Sequence, residues 1–147
     1  MSIKDLLLLT ERRLDKTQQE QGRLNLAISA LKQKSADMKA RIKILTAQVV
    51  VYEKSQELKP IAFWERQRLK AAVLAEIAQY EYQIDSILME IEKYQELAEK
   101  MKAQAFLLHQ KCEKFQKYLK QQRIKRCLKL ERQQQNEIEE LFVHVSN

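Results

Sequence analysis

A stride that alternates four and three residues from Ile3 lands on Ile3, Leu7, Thr10, Leu14, Thr17, Gln21, Leu24, Ile28, Leu31, Ser35, Met38, Ile42, Leu45, Val49 and Tyr52, and eleven of these fifteen positions are apolar. A second series, Val73, Ile77, Tyr80, Ile84, Ile87, Ile91, Tyr94, Ala98, Met101, Ala105, Leu108, Cys112, Phe115 and Leu119, is hydrophobic at all fourteen. A repeat of about 3.5 residues keeps one stripe of a slightly under-wound α-helix facing a neighbour, which is the seam of a coiled coil. The pattern predicts two long helices, about 3–54 and about 62–142.

Between the two seams lies Lys54-Ser55-Gln56-Glu57-Leu58-Lys59-Pro60, with the only proline of the chain. Proline fits the first turn of a helix and breaks one elsewhere, so the turn is expected at about 55–61. Folding back there sets Val49 against Val73, Leu45 against Ile77, Ile42 against Tyr80, Leu31 against Ile91, Ile28 against Tyr94, Leu14 against Leu108 and Leu7 against Phe115. The charges favour that antiparallel arrangement. Lys32, Lys34, Lys39, Arg41 and Lys43 on the first helix mirror Glu81, Asp85 and Glu90 on the second, whereas a parallel dimer would face the two basic stretches with each other. Ile3 then meets Leu119, and the rest of the second helix continues as an unpaired overhang. The fold class is all-α: two long helices in an antiparallel coiled-coil hairpin over residues 1–147, the second helix longer. Gly22, beside the polar seam residues Thr17 and Gln21, marks a soft stretch where a bend or local fraying is expected, since Gly costs about 1 kcal/mol relative to Ala in a helix.

Composition narrows the function. One Gly and one Pro in 147 residues leave too few turn formers for sheet-rich or Rossmann-like folds, and a chain this long in so few helices is expected to be rod-like, without a sizeable globular core. The net charge of +7 suits acidic or anionic partners, and it is concentrated. Lys111, Lys114, Lys117, Lys120, Arg123, Lys125, Arg126, Lys129 and Arg132 stand against Glu113 and Glu131, an excess equal to that of the whole chain. Beyond Gln133-Gln134-Gln135 the sign reverses at Glu137, Glu139 and Glu140, before a short apolar end at Leu141, Phe142 and Val143.

Catalytic chemistry finds no foothold. The sequence has no Gly-rich phosphate loop, no CxxC and no HExxH. His109 and Cys112 share a helix face, but two ligands do not make a zinc site, so no catalytic, cofactor-binding or metal-ligating residue is assigned and no enzyme activity is expected. Cys112 and Cys127 lie about 22 Å apart along one helix at ~1.5 Å per residue, too far to bridge each other, which favours a reducing compartment. The apolar runs are too short for a membrane span and the N-terminus lacks a signal-peptide pattern; a soluble, unprocessed protein is expected. The basic overhang suits a solvated face, a salt-sensitive contact with nucleic acid, a membrane surface or insertion into an acidic protein cavity. It has too few exposed aromatics to stack bases and a thin apolar face in Ile124, Leu128 and Leu130 for lipid. At the turn, Val50, Val51, Tyr52, Phe63 and Trp64 either cap the coiled coil by packing on one another or form a contact site.

The stretch Phe63-Trp64-Glu65-Arg66-Gln67-Arg68-Leu69 and the basic, glutamine-rich run from Phe115-Gln116-Lys117-Tyr118 to Arg132-Gln133-Gln134-Gln135, closing on an acidic tail, resemble the small coiled-coil stalk proteins of bacterial type III secretion and flagellar export, the FliJ, YscO and SpaM type. The unequal helices and the size of the chain fit the same family. The resemblance implies the central stalk of a hexameric export ATPase, whose helical termini enter the ring while the hairpin tip points to the membrane export gate, in the bacterial cytoplasm at the face of the secretion apparatus. Secretion chaperones are a further partner class for some members; no specific nucleic acid and no direct membrane insertion are implied. Carried to this chain, Lys117, Lys120, Arg123, Arg126 and Lys129 are the implied ring contacts, and Tyr52, Phe63 and Trp64 the implied gate contacts. The competing reading is a helical-hairpin chaperone or scaffold holding a client along its side, which would need an exposed apolar stripe outside the seam; Leu74, Leu88 and Leu97 are scattered instead.

Overall fold

The computed structural model describes residues 1–54 and 59–146. They form a helical hairpin of two α-helices, α1 (Ile3–Glu53) and α2 (Pro60–Ser146). Residues 55–58, at the centre of the expected turn, lie outside the described residues. α2 begins two positions earlier than its seam alone suggested, because Pro60 itself opens the helix. The Lys59 carbonyl accepts the first helical bond from the Phe63 N–H at 3.0 Å, and Pro60 supplies a preset φ without wasting a donor. At the other end α2 runs to Ser146, four residues past the expected limit.

The start of α1 is fixed by a reciprocal cap. The Asp5 N–H donates to Ser2 Oγ and the Ser2 N–H donates to the Asp5 carboxylate, each at 3.2 Å, while the Leu6 N–H bonds the Ser2 carbonyl at 3.0 Å. Two otherwise unpaired backbone donors are thereby satisfied. α1 is unbroken through Gly22, so the expected fraying does not occur; a methyl group at that position would meet no neighbour within 4 Å.

Every one of the twenty-nine seam positions read from the sequence is buried or half-buried. Two compact units are built on them, one from Glu20 to Lys100 and the other from Met1–Gln19 with the chain from Met101 onward. In the first, Ile28, Ile87 and Ile91 form a cluster on which Leu31, Met38, Tyr94 and Ala98 pack. Leu45, with 2% of its surface exposed, is the most deeply enclosed large side chain described, and burial of a leucine on this scale stabilises by about 1.5–3 kcal/mol. In the second unit Thr10 and Cys112 are buried, between half-buried Leu7, Leu14, Leu108 and Phe115. The Thr10 hydroxyl donates to the Leu6 carbonyl at 2.7 Å, so this polar seam residue carries no unmet hydrogen bond into the interior.

The mirrored charges act at a distance. Among the described residues no ion pair within 4 Å joins the basic stretch 32–43 to the acidic positions 81–90, and Asp37 instead accepts a bond from the Gln33 amide one turn back, at 2.9 Å. Their contribution is a weak, screened field that distinguishes antiparallel from parallel pairing.

Candidate functional site

Two regions collect the residues singled out from sequence. The first is the hairpin tip. Here α1 is tied to the opening turns of α2: Lys70 Nζ stands 3.1 Å from Glu53 Oε1, and Arg66 Nη1 donates to the Lys54 carbonyl at 3.4 Å. The α1 terminus closes with the Lys54 N–H on the Val51 carbonyl at 3.3 Å, a tightened last turn. The lysine and guanidinium also place positive charge where the helix dipole is negative.

On this clamped end Phe63 and Trp64 meet edge to face, ring centroids 5.8 Å apart and planes at 72°, a favoured aromatic geometry. Their mutual contact does not bury them: Phe63 is 46% and Trp64 65% exposed. Tyr52 is half-buried in the seam. The structure thus gives the three expected tip residues two different places, an exposed aromatic pair and a sheltered tyrosine. Ile61, exposed beside Pro60, and Val50 and Val51, also exposed, complete an apolar end. Sequence reasoning missed Ile61, because a single apolar residue next to a turn carries no periodicity.

The second region is the distal part of α2. Leu119 is the last residue with any shelter; every described residue from Lys120 to Val145 is exposed. Lys117 lies within the last paired turn with its side chain in solvent, and Lys120, Arg123, Arg126 and Lys129 follow on the unpaired helix. Eight bases, Lys111, Lys114, Lys117, Lys120, Arg123, Arg126, Lys129 and Arg132, recur at a strict interval of three residues, and all eight are exposed. Near the end, Ile138, Leu141, Phe142 and Val145 are exposed as well.

The remaining chemistry is structural. His109 Nε2 faces Glu113 Oε1 at 3.1 Å on the surface, while Cys112 turns into the seam; burial, helped by the nearby Glu11 carboxylate, pushes its thiol pKa up. Tyr94 donates to Glu90 Oε1 at 3.2 Å, and that bond together with the carboxylate charge raises the phenol pKa. Among the described residues no group of three or more His, Cys, Asp or Glu is placed to hold a metal, and no helix is long and apolar enough to cross a membrane.

The chain belongs to the family of the Salmonella surface presentation of antigen gene type M protein, which matches residues 1–142, and is a type III secretion-associated protein. No curated protein and no solved structure matches it.

Proposed function

We propose that the chain is the non-enzymatic central stalk of a type III secretion export ATPase, working at the cytoplasmic face of the apparatus. The basic distal part of α2 enters the hexameric ring and the aromatic tip meets the export gate, with secretion chaperones as an additional class of partner. The observation that carries this reading is the complete exposure of Lys120–Val145 on a continuous helix. An exposed helix whose stretch Lys120–Arg132 holds six bases against the single acid Glu131 suits a partner that surrounds it. Membership of a secretion family supports the same conclusion.

A side-binding chaperone would need an exposed apolar stripe. Leu74, Leu88 and Leu97 are all exposed; Leu74 and Leu88, fourteen residues apart, share one side of α2, but nine residues at ~100° each put Leu97 on the side opposite Leu88. The test is capture of the purified cognate ATPase hexamer. Reversing Arg123, Arg126 and Lys129 to Glu should abolish binding with helicity unchanged, since none of the three contributes to the seam. Replacing Tyr52, Phe63 and Trp64 by Ala should spare ring binding and impair coupling to the gate. Undiminished capture of the charge-reversed protein would remove the distal helix from the mechanism.

A further inference from the structure

A helix surface that serves one flat partner repeats its contacts at intervals of three and four residues in alternation, because only that spacing holds one face. The bases of distal α2 do not follow it. From Lys111 to Arg132 they keep to three. Three residues of an α-helix turn through ~300°, so each base falls ~60° short of the one before it while rising ~4.5 Å. The eight exposed side chains therefore form a left-handed spiral. Six in succession, Lys117, Lys120, Arg123, Arg126, Lys129 and Arg132, point in six directions ~60° apart over ~22 Å of helix. No flat surface can face more than about half of them at once. The ninth base of the segment, Lys125, stands off the spiral.

We infer that this spiral is a one-base-per-subunit contact with a ring of six identical subunits, each presenting acidic side chains along the wall of its pore. The inference rests on the stalk reading above and adds the stoichiometry and the chemistry of the contact. A six-fold ring repeats its wall every 60°, the angle between successive bases. Each subunit meets one Lys or Arg at a depth ~4.5 Å from that of the next, the first and sixth lying ~22 Å apart; side-chain length and freedom cover a single step, and acidic groups set along the wall cover the whole span. Enclosure also weakens salt screening relative to an open surface pair. The mixture of Lys and Arg is tolerated because the contact requires charge and azimuth, not a bidentate geometry.

A variant of unchanged composition and charge isolates the spiral. Three local exchanges, Lys117→Gln with Gln116→Lys, Lys129→Leu with Leu130→Lys, and Arg132→Gln with Gln134→Arg, gather the six bases within an arc of ~120° at positions 116, 120, 123, 126, 130 and 134. All six exchanged residues are exposed, so circular dichroism should show the same helicity. Binding of native and rearranged protein to the purified cognate ATPase hexamer, and to a short duplex DNA at the same ionic strength, is then measured. The expected result is at least a tenfold loss of hexamer affinity for the rearranged protein, with equal, weak affinity of both proteins for DNA. Equal hexamer affinity would overturn the spiral contact and leave the stalk reading intact. A native protein that does not bind the hexamer would overturn both. Loss of DNA affinity on rearrangement would overturn the ring in favour of a nucleic-acid partner.

Discussion

Lys70 Nζ and Glu53 Oε1 lie 3.1 Å apart and join the last residue of α1 to the third turn of α2. The pair sits within one place of the register derived from the seams, so the charged contact and the apolar layers describe the same alignment. Both side chains reach solvent, and an ion pair of this kind contributes about 0–1 kcal/mol. It marks the register without being its main cause.

That division of labour predicts unequal mutational costs. Lys70→Ala should lower stability by no more than about 1 kcal/mol. Leu45→Ala, at the most enclosed side chain, should cost about 2–5 kcal/mol, while Leu128→Ala on the bare distal helix should stay within about 0.5 kcal/mol. Urea unfolding of the three variants checks the ranking.

The N-terminal cap should be worth about 1 kcal/mol to the first turns of α1. Asp5→Ala removes one half of the reciprocal bond and leaves an additional backbone donor unpaired. Faster amide exchange confined to the first residues, with the Ile28–Ile91 cluster still protected, is the expected signature.

The cysteines should react at very different rates. Cys127 is exposed and Cys112 buried, and the upward shift of the Cys112 thiol keeps it in the unreactive protonated form. A maleimide at neutral pH should label Cys127 at once and Cys112 only after unfolding. The same shift sets a sign for stability. Below the ordinary thiol value of about 8.5 the folded and unfolded chains both hold this proton. As pH rises past it, the unfolded chain releases the proton while the folded chain retains it, so stability falls. The melting temperature of native protein should drop above about pH 9 more steeply than that of Cys112→Ala compared with its own value at pH 7.

Spin labels at positions 14 and 108, in place of seam residues Leu14 and Leu108, should report close approach within a single chain diluted in unlabelled protein. Proximity seen only between chains would replace the hairpin with a dimeric coiled coil.

Trp64 is the only tryptophan and is 65% exposed, so its fluorescence should be quenched readily by acrylamide in the free protein. A purified export-gate component should protect it. Protection lost on Phe63→Ala but kept on Tyr52→Phe would separate the exposed pair from the sheltered tyrosine.

The seams were fully legible because heptad spacing records which side of a helix is denied water. Polar Thr10, Thr17, Gln21 and Ser35 hold their places by phase alone, and each is buried or half-buried. The last sheltered residue, Leu119, was legible for the same reason, since no heptad continues through Gln122 and Arg126. The tip was not. Whether Phe63, Trp64 and Tyr52 pack or stand free depends on the path of the chain at the reversal, where periodicity ends, and nothing in their side chains distinguishes the two outcomes. The Ser2–Asp5 cap was visible as a four-residue pattern but lay outside the seam. The interval of three among the bases was hidden by reading them as a sum of charge instead of a set of directions.

The three-residue interval also bears on how the helix can move within such a ring. A rotation of ~60° combined with a slide of ~4.5 Å along the axis lays each base on the position of its neighbour. To a six-fold socket the distal helix is a left-handed screw thread: one notch of turning and advance restores the contacts it has just left, with only the end charges changed. A turn of ~60° without advance restores them equally, because a ring of six identical subunits is unchanged by that turn, so the thread sets ~60° stops for rotation and leaves axial travel free to accompany it.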